Sequence, residues 1–328
     1  MGSGTRGSLR VPLHAGTTRP TTLEDPMPDV PSGATRCAVV YNPTKISDGF
    51  RDLVGARTSQ AGWAEPLWLE TSVDDPGRAM TREALDAGVD LVLTAGGDGT
   101  VRVVADVMAG SGVTMAVIPA GTGNLLARNL ELPLDEEGAL EVALAGRTRA
   151  VDLVELTVDG GRSEHFAVMA GVGVDATIMD EVDPGLKKKV GPAAYFVAAG
   201  KAIGRLPVPM EISVDGGRRH RRRAMTCLIG NVGKLPGGLV LMPDAEVDDG
   251  RLDVYVASPL RVTHWLKLAL RVITRRGQRD DQVDSWQGNR VVLTLRQAES
   301  YQLDGDVVGE GRELVAEIRP GALTVCVP

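Results

Sequence analysis

Four short apolar runs, unbroken by polar alternation, constrain this chain more than any other feature: Cys37-Ala38-Val39-Val40-Tyr41, Leu67-Trp68-Leu69, Leu91-Val92-Leu93-Thr94 and Met115-Ala116-Val117-Ile118. A strand that keeps one face in water alternates polar and apolar residues, so runs without alternation suit strands covered on both faces, as in parallel sheets. Helical patterns between the runs, Thr81 to Ala87 and Val101 to Met108, supply the cover. Residues 36–150 therefore read as an α/β domain with a parallel sheet.

After Val151 the pattern changes. Asp152-Leu153-Val154-Glu155-Leu156-Thr157-Val158 runs into Asp159-Gly160-Gly161, and Glu211-Ile212-Ser213-Val214 into Asp215-Gly216-Gly217. Asp-Gly and Gly-Gly after such runs are hairpin signals. Residues 151–311 are thus expected to form a mainly antiparallel, β-sandwich-like domain with helical stretches near 187–205 and 260–276, and residues 312–328 to return to the first domain. Residues 1–35 carry Gly, Ser, Thr and Pro without apolar periodicity and read as a disordered tail.

The formal charge of -7 removes any global attraction to nucleic acid or anionic lipid, so a basic surface has to be local. Cys37, Cys227 and Cys326 stand far apart with no CxxC spacing, which argues against a disulfide framework or a zinc site. No stretch approaches the roughly 20 apolar residues that span a bilayer, and no basic start with an apolar core opens the chain. The expectation is a soluble, cytoplasmic protein whose membrane contact is peripheral, at the inner membrane face.

The run Leu91 to Thr94 ends in Ala95-Gly96-Gly97-Asp98-Gly99-Thr100, and a helical pattern follows with Thr100 as its expected cap. Backbone N–H groups and a helix dipole there suit a phosphate, which missing β-carbons would let approach closely. Asp98 beside a phosphate calls for a cation between them, magnesium by choice. A second glycine loop follows Ile118: Pro119-Ala120-Gly121-Thr122-Gly123-Asn124, with Arg128 placed to clamp phosphate oxygens. Neither loop has the Lys-Ser/Thr pair of a Walker loop or the spaced glycines of a dinucleotide turn.

Together, Gly96-Gly97-Asp98-Gly99-Thr100 and Pro119-Ala120-Gly121-Thr122-Gly123-Asn124 resemble the diacylglycerol kinase catalytic-domain family, which includes bacterial soluble lipid kinases and the sphingosine and ceramide kinases. Tyr41-Asn42-Pro43, Val151-Asp152-Leu153, Gly171-Val172-Gly173-Val174-Asp175-Ala176, Asp249-Gly250-Arg251-Leu252-Asp253 and Leu303-Asp304-Gly305-Asp306 agree in order, so the resemblance runs from Val39 to the C-terminus. It implies an NAD kinase/diacylglycerol kinase-like fold with the active site in the interdomain cleft. It also implies ATP and Mg2+ as cofactors and transfer of the γ-phosphoryl group to a lipid hydroxyl, diacylglycerol foremost.

By the same resemblance, nucleotide binding falls to Asn42, Pro43, Thr44, Thr71, Gly97, Asp98, Gly99, Thr100, Val101, Arg102, Val103 and Thr122, to which the reading of the glycine loops adds Gly96, Gly121, Gly123, Asn124 and Arg128. The first loop departs from the family, which has a small residue and glycine after Asn-Pro where this chain has Thr44-Lys45. Asp304 and Asp306 fall on the family's Asp-Gly-Glu segment, which holds the general base, with Asp306 one methylene shorter than the usual glutamate; without the family, the segment reads as a hairpin turn. Asp249 matches the carboxylate of a structural magnesium site completed by the carbonyls of Glu246 and Arg251. Asp98 and Asp152 are the candidates for the catalytic magnesium, and Arg128 would orient Asp152 or a phosphate.

For membrane contact the sequence offers Lys187-Lys188-Lys189 ahead of an aromatic helix, and Arg218-Arg219-His220-Arg221-Arg222-Arg223. A homodimer is implied by resemblance alone. The competing readings are an NAD kinase-like enzyme with a soluble substrate, which shares the Gly-Gly-Asp-Gly turn, and a non-catalytic nucleotide-binding protein, which the shortened Asp306 favours.

Overall fold

The computed structural model describes residues 35–173, 206–235, 239–258 and 283–328. The expected tail, the stretches near 187–205 and 260–276, Lys187 to Lys189 and the 174–176 end of the third motif lie outside the described residues. In chain order come β1 (Cys37–Tyr41), α1 (Phe50–Gln60), β2 (Leu67–Glu70), α2 (Arg78–Asp86), β3 (Leu91–Gly96), α3 (Asp98–Met108), β4 (Thr114–Pro119), α4 (Leu125–Asn129) and α5 (Glu136–Ala145). Then follow β5 (Thr148–Val158), β6 (Ser163–Phe166), β7 (Met169–Gly173), β8 (Val208–Val214), β9 (His220–Ala224), β10 (Thr226–Gly230), β11 (Lys234–Leu235) and β12 (Leu239–Val240). The chain closes with β13 (Leu252–Ala257), β14 (Val283–Gly288), β15 (Arg290–Leu303) and β16 (Asp306–Cys326).

The four apolar runs are the four parallel strands, in the order β4-β3-β1-β2. Alternate residues of each serve different cores. Ala38, Val40, Val92, Met115 and Val117 meet Ala84 of α2 and Val101, Val104 and Met108 of α3 on one face. Val39, Tyr41, Leu93, Ala116 and Ile118 meet Phe50 and Val54 of α1 and Ala139 and Leu140 of α5 on the other. Both faces being dry is why no polar residue interrupts the runs.

The second half is antiparallel and packs around a separate core that includes Phe166, Ile212, Ile229, Val254, Leu293 and Leu314. Its hairpins turn where Asp-Gly predicts them: Asp159 and Gly160 have φ of 50° and 67°, Asp215 and Gly216 51° and 69°. Positive φ at both central residues is the type I′ geometry that matches strand twist. Each aspartate also reaches across to a neighbouring strand. Asp159 Oδ1 accepts from Glu313 N at 2.8 Å and Arg312 N at 3.1 Å, and Asp215 Oδ1 from Asn289 N at 2.8 Å and Arg290 N at 2.9 Å.

One strand joins the two architectures. β16 pairs antiparallel with β15 and β5, bends near Gly321, whose φ is 60°, and then runs parallel to β4 through Thr324 and Val325. It meets both ends of α3: Asp306 stands at the helix's first turn, and Ala322, just after the bend, accepts from Gly110 N just past the helix's end. Among the described residues no helix is long and apolar enough to cross a membrane.

Asp159→Ala and Asp215→Ala each strand two backbone donors and lose a tolerated positive-φ residue; each is expected to cost about 1–2 kcal/mol in urea denaturation.

Candidate functional site

The parallel register brings the carboxyl ends of β1, β2, β3 and β4 to one edge, where Tyr41 stands level with Glu70 and Ala95, and Gly96 with Pro119. Asn42, Pro43, Thr44, Thr71 and both glycine loops follow directly. Asn42 N donates to Ala95 O at 2.9 Å, and its Oδ1 accepts from Thr44 N and Thr44 Oγ1, closing a short turn. Thr71 is buried, its N–H donating to Tyr41 O at 2.9 Å, while Pro43, Thr44 and Thr122 are exposed.

The two glycine loops touch backbone to backbone. A β-carbon on Gly121 would lie 2.8 Å from Gly97 Cα, and one on Gly123 would lie 2.5 Å from Asp98 Oδ2. At Gly96 the space belongs to the Thr100 side chain, and at Gly99 to the Asp306 carboxylate, 2.6 Å from the β-carbon position. Glycine is required here for the loops to meet each other, a different use from the expected close approach of a phosphate. Asp98 clamps the contact: its Oδ2 accepts from Asn124 N at 2.9 Å and its Oδ1 from Leu125 N at 2.6 Å. Asn124 itself holds a left-handed backbone and exchanges two bonds with Gly121, one each way at 2.9 Å.

Thr100 is not the cap of α3. The helix begins at Asp98 behind an extended Gly97 with no side-chain cap, which leaves Thr100 buried inside the first turn. Arg128 Nε donates to Gly123 O at 2.8 Å, so this side chain braces the second loop and not Asp152. Burial raises the Asp98 pKa most, and the charge of Asp306 adds to it.

The two aspartates of the β15–β16 turn face opposite ways. Asp304, at φ 48°, is 4% exposed; its carboxylate accepts from Ala167 N at 3.2 Å, Val168 N at 3.0 Å and Met169 N at 2.9 Å. Burial lifts its pKa to about 6 against the opposing pull of those donors. With its oxygens turned inward onto three backbone donors, Asp304 anchors the turn. Asp306 is exposed, and its carboxylate lies over Gly99 at the N-terminus of α3.

Asp98 and Asp152 do not share a metal site. Asp152 is 2% exposed, its Oδ2 accepting from Gly250 N and its Oδ1 from Gly321 N, both at 2.7 Å. Gly321 adjoins the residue that meets the far end of α3, a helix roughly 16 Å long, whereas Asp98 opens that helix. Asp152 therefore ties the Asp249 loop to the bend of β16. In that loop Glu246, Asp249 and Arg251 are exposed, and Asp249 Oδ1 accepts from Arg251 N at 2.9 Å. Among the described residues no three His, Cys, Asp or Glu side chains converge as metal ligands; one carboxylate with main-chain carbonyls is the donor set this loop offers, and oxygen ligands suit a hard cation.

Two groups were given no individual role by the sequence: Asp253, which stands inside a quoted motif, and Arg102, which falls within the Gly97 to Val103 stretch that the resemblance assigns to nucleotide binding. Asp253 is 2% exposed, with Oδ1 accepting from Gln287 Nε2 at 3.1 Å and Oδ2 unpartnered; burial, then Asp249 and Asp244, raise its pKa. Arg102, one helical turn after Gly99, keeps a buried Nε without a partner and holds Nη1 3.9 Å from Glu164 Oε2.

Comparison with known proteins agrees with this layout. Residues 36–156 match the sequence family described as the diacylglycerol kinase catalytic domain, and residues 167–327 the YegS C-terminal NAD kinase beta sandwich-like domain. The chain is 30% identical over 255 residues to a diacylglycerol kinase of Mycobacterium tuberculosis H37Rv, covering 76% of this chain and 81% of the relative. It is 26% identical over 281 residues to a diacylglycerol kinase of Bacillus subtilis, covering 84% and 90%. The crystal structure of a Bacillus anthracis protein assigned as a diacylglycerol kinase superposes with a TM-score of 0.76 at 21% identity, covering 91% of this chain and 98% of that one, a likeness of fold.

Asp304→Asn places an amide N–H against Ala167 N–H and is expected to destabilise the fold by about 1–3 kcal/mol in urea denaturation. Because the folded pKa of about 6 lies above the ordinary aspartate range, the wild-type carboxyl favours folding when protonated, and that contribution is lost as pH rises through 6. The stability gap to Asp304→Asn is therefore expected to narrow between pH 4 and pH 7. Gly121→Ala drives a β-carbon into Gly97 and is expected to cost about 1–3 kcal/mol by the same measurement.

Proposed function

Because the chain belongs to the diacylglycerol kinase catalytic-domain family, phosphotransferases with an alcohol as acceptor, we propose that it is an ATP-dependent lipid kinase that converts diacylglycerol to phosphatidic acid. The observation that carries this reading is the Asp306 carboxylate, exposed and held over Gly99 at the start of α3. A helix N-terminus offers unpaired N–H groups and a positive dipole end to phosphate oxygens. A carboxylate at that point stands where an acceptor hydroxyl attacking a terminal phosphoryl group would shed its proton.

The residues divide the work accordingly. The first turn of α3 and the exposed Thr122 receive the phosphates, the Asn42-Pro43-Thr44 turn and Thr71 border the nucleotide, and Asp306 accepts the hydroxyl proton as the oxygen attacks. Asp98 and Asn124 hold the loops at fixed separation, and Asp304 fixes the turn that carries Asp306. Magnesium, when bound, neutralises phosphate charge beside the loops, and Asp249 with the Glu246 and Arg251 carbonyls would hold a second, structural ion at the far end of α3. Relatives named diacylglycerol kinase along most of the chain support that acceptor over a soluble one. The reading places the protein in the cytoplasm, working at the inner face of a membrane.

Asp306→Asn is expected to lower kcat by about 10²–10⁴ while leaving the KM for ATP within a few-fold and the urea midpoint unchanged, since the side chain is exposed. The assay is coupled ADP release with dispersed diacylglycerol, run beside NAD. Turnover stimulated by NAD alone would refute the lipid acceptor.

A further inference from the structure

The basic run at residues 218–223 has a structure that the sequence does not reveal. Among the described residues β9 pairs only with β8 and forms an edge, and its side chains alternate. Arg222 turns inward, where Nε and Nη2 meet the two carboxylate oxygens of Asp284 at 2.5 and 3.0 Å and the guanidinium lies 5.7 Å from the centre of the Trp286 ring. His220 packs on the same ring. Arg221 and Arg223 turn outward and are exposed. The inward pair secures the strand, and the outward pair is left to solvent.

A further arginine joins them from a distant part of the chain. An open groove of about 440 Å³ runs across β9, β8 and β15, lined by Arg221 and Arg223 together with Arg296 and Thr294. Glu211 is its acidic member, accepting from Arg219 Nη1 at 2.9 Å and Arg221 Nε at 3.0 Å. Arg223 and Arg296 have no ion-pair partner among the described residues. Four arginines thus face one glutamate on a chain of formal charge -7. Just before β8, Leu206 is 87% exposed.

Resting on the lipid-kinase reading above, we infer that this groove is the surface by which the protein docks on an anionic membrane, with Arg221, Arg223 and Arg296 receiving lipid phosphates and Leu206 entering the headgroup boundary. Planar guanidinium forks match phosphate oxygens better than point cations do. The rest of the chain is repelled by an anionic surface, so the local cations decide which side faces the bilayer. An exposed leucine two residues ahead of a strand that lines the groove suits a lipid surface better than it suits a soluble polyanion.

The test is cosedimentation with phosphatidylcholine vesicles, with and without phosphatidylglycerol. Wild type is expected to bind only the anionic vesicles and to lose binding as salt rises. At about fivefold per charge, the Arg221→Gln/Arg223→Gln/Arg296→Gln variant should bind on the order of 100-fold more weakly. Glu211→Gln removes the local acid and should bind about fivefold more tightly, a gain that requires phosphatidylglycerol and disappears at high salt. A triple variant that binds like wild type, a Glu211→Gln variant that binds no tighter, or a wild type indifferent to phosphatidylglycerol overturns the docking surface. On monomerically dispersed short-chain diacylglycerol the triple variant is expected to match wild-type turnover, and on vesicles to fall with its binding. If neither substrate form is turned over, the kinase reading fails, and sedimentation decides the docking surface by itself.

Discussion

Everything at the edge of the parallel sheet depends on the contact between Gly97 and Gly121, where two loops approach so closely that a β-carbon on the second would sit 2.8 Å from the first. A contact between bare backbones has little apolar area to hold it together. Asp98 supplies the hold by reaching across to two N–H groups of the second loop, and charge-assisted bonds of this kind are among the stronger ones in proteins. The arrangement fixes the spacing of the two loops at this edge before any ligand arrives, so that little ordering remains for binding to drive.

The turn between β15 and β16 separates two demands that a single carboxylate could not meet. Asp304 is buried, bonded to three backbone donors and strained at φ 48°, and such a group holds a backbone rigid. Asp306 is solvent-exposed and open to approach from outside. Its closeness to Asp98, whose pKa it helps to raise, gathers negative charge at the positive end of α3, a pairing the helix dipole favours.

Much of this was legible in the sequence, and the exceptions share a cause. The apolar runs, the Asp-Gly hairpins and the glycine loops are local patterns, and the chain realises them where they stand. What local pattern could not convey was which distant atoms would fill the space beside each glycine. Gly99 is matched to Asp306, and Gly123 to Asp98. Asp152 looked like a metal ligand because it is acidic and lies within a motif; its partners Gly250 and Gly321 come from two other segments and turn it into a structural tie. Thr100 looked like a cap because threonine favours that place, yet the close approach of the loops requires the helix to begin at Asp98.

The bend of β16 has a consequence for how the protein is made. The open flank of β4 is covered by Thr324 and Val325, which leave the ribosome roughly 200 residues after β4 does, a delay of about 10–40 s at ~5–20 residues per second. Through that interval the nascent α/β half presents a bare strand edge of the kind that recruits foreign strands. A chaperone that shields this flank during synthesis would matter more for yield than for the stability of the finished molecule.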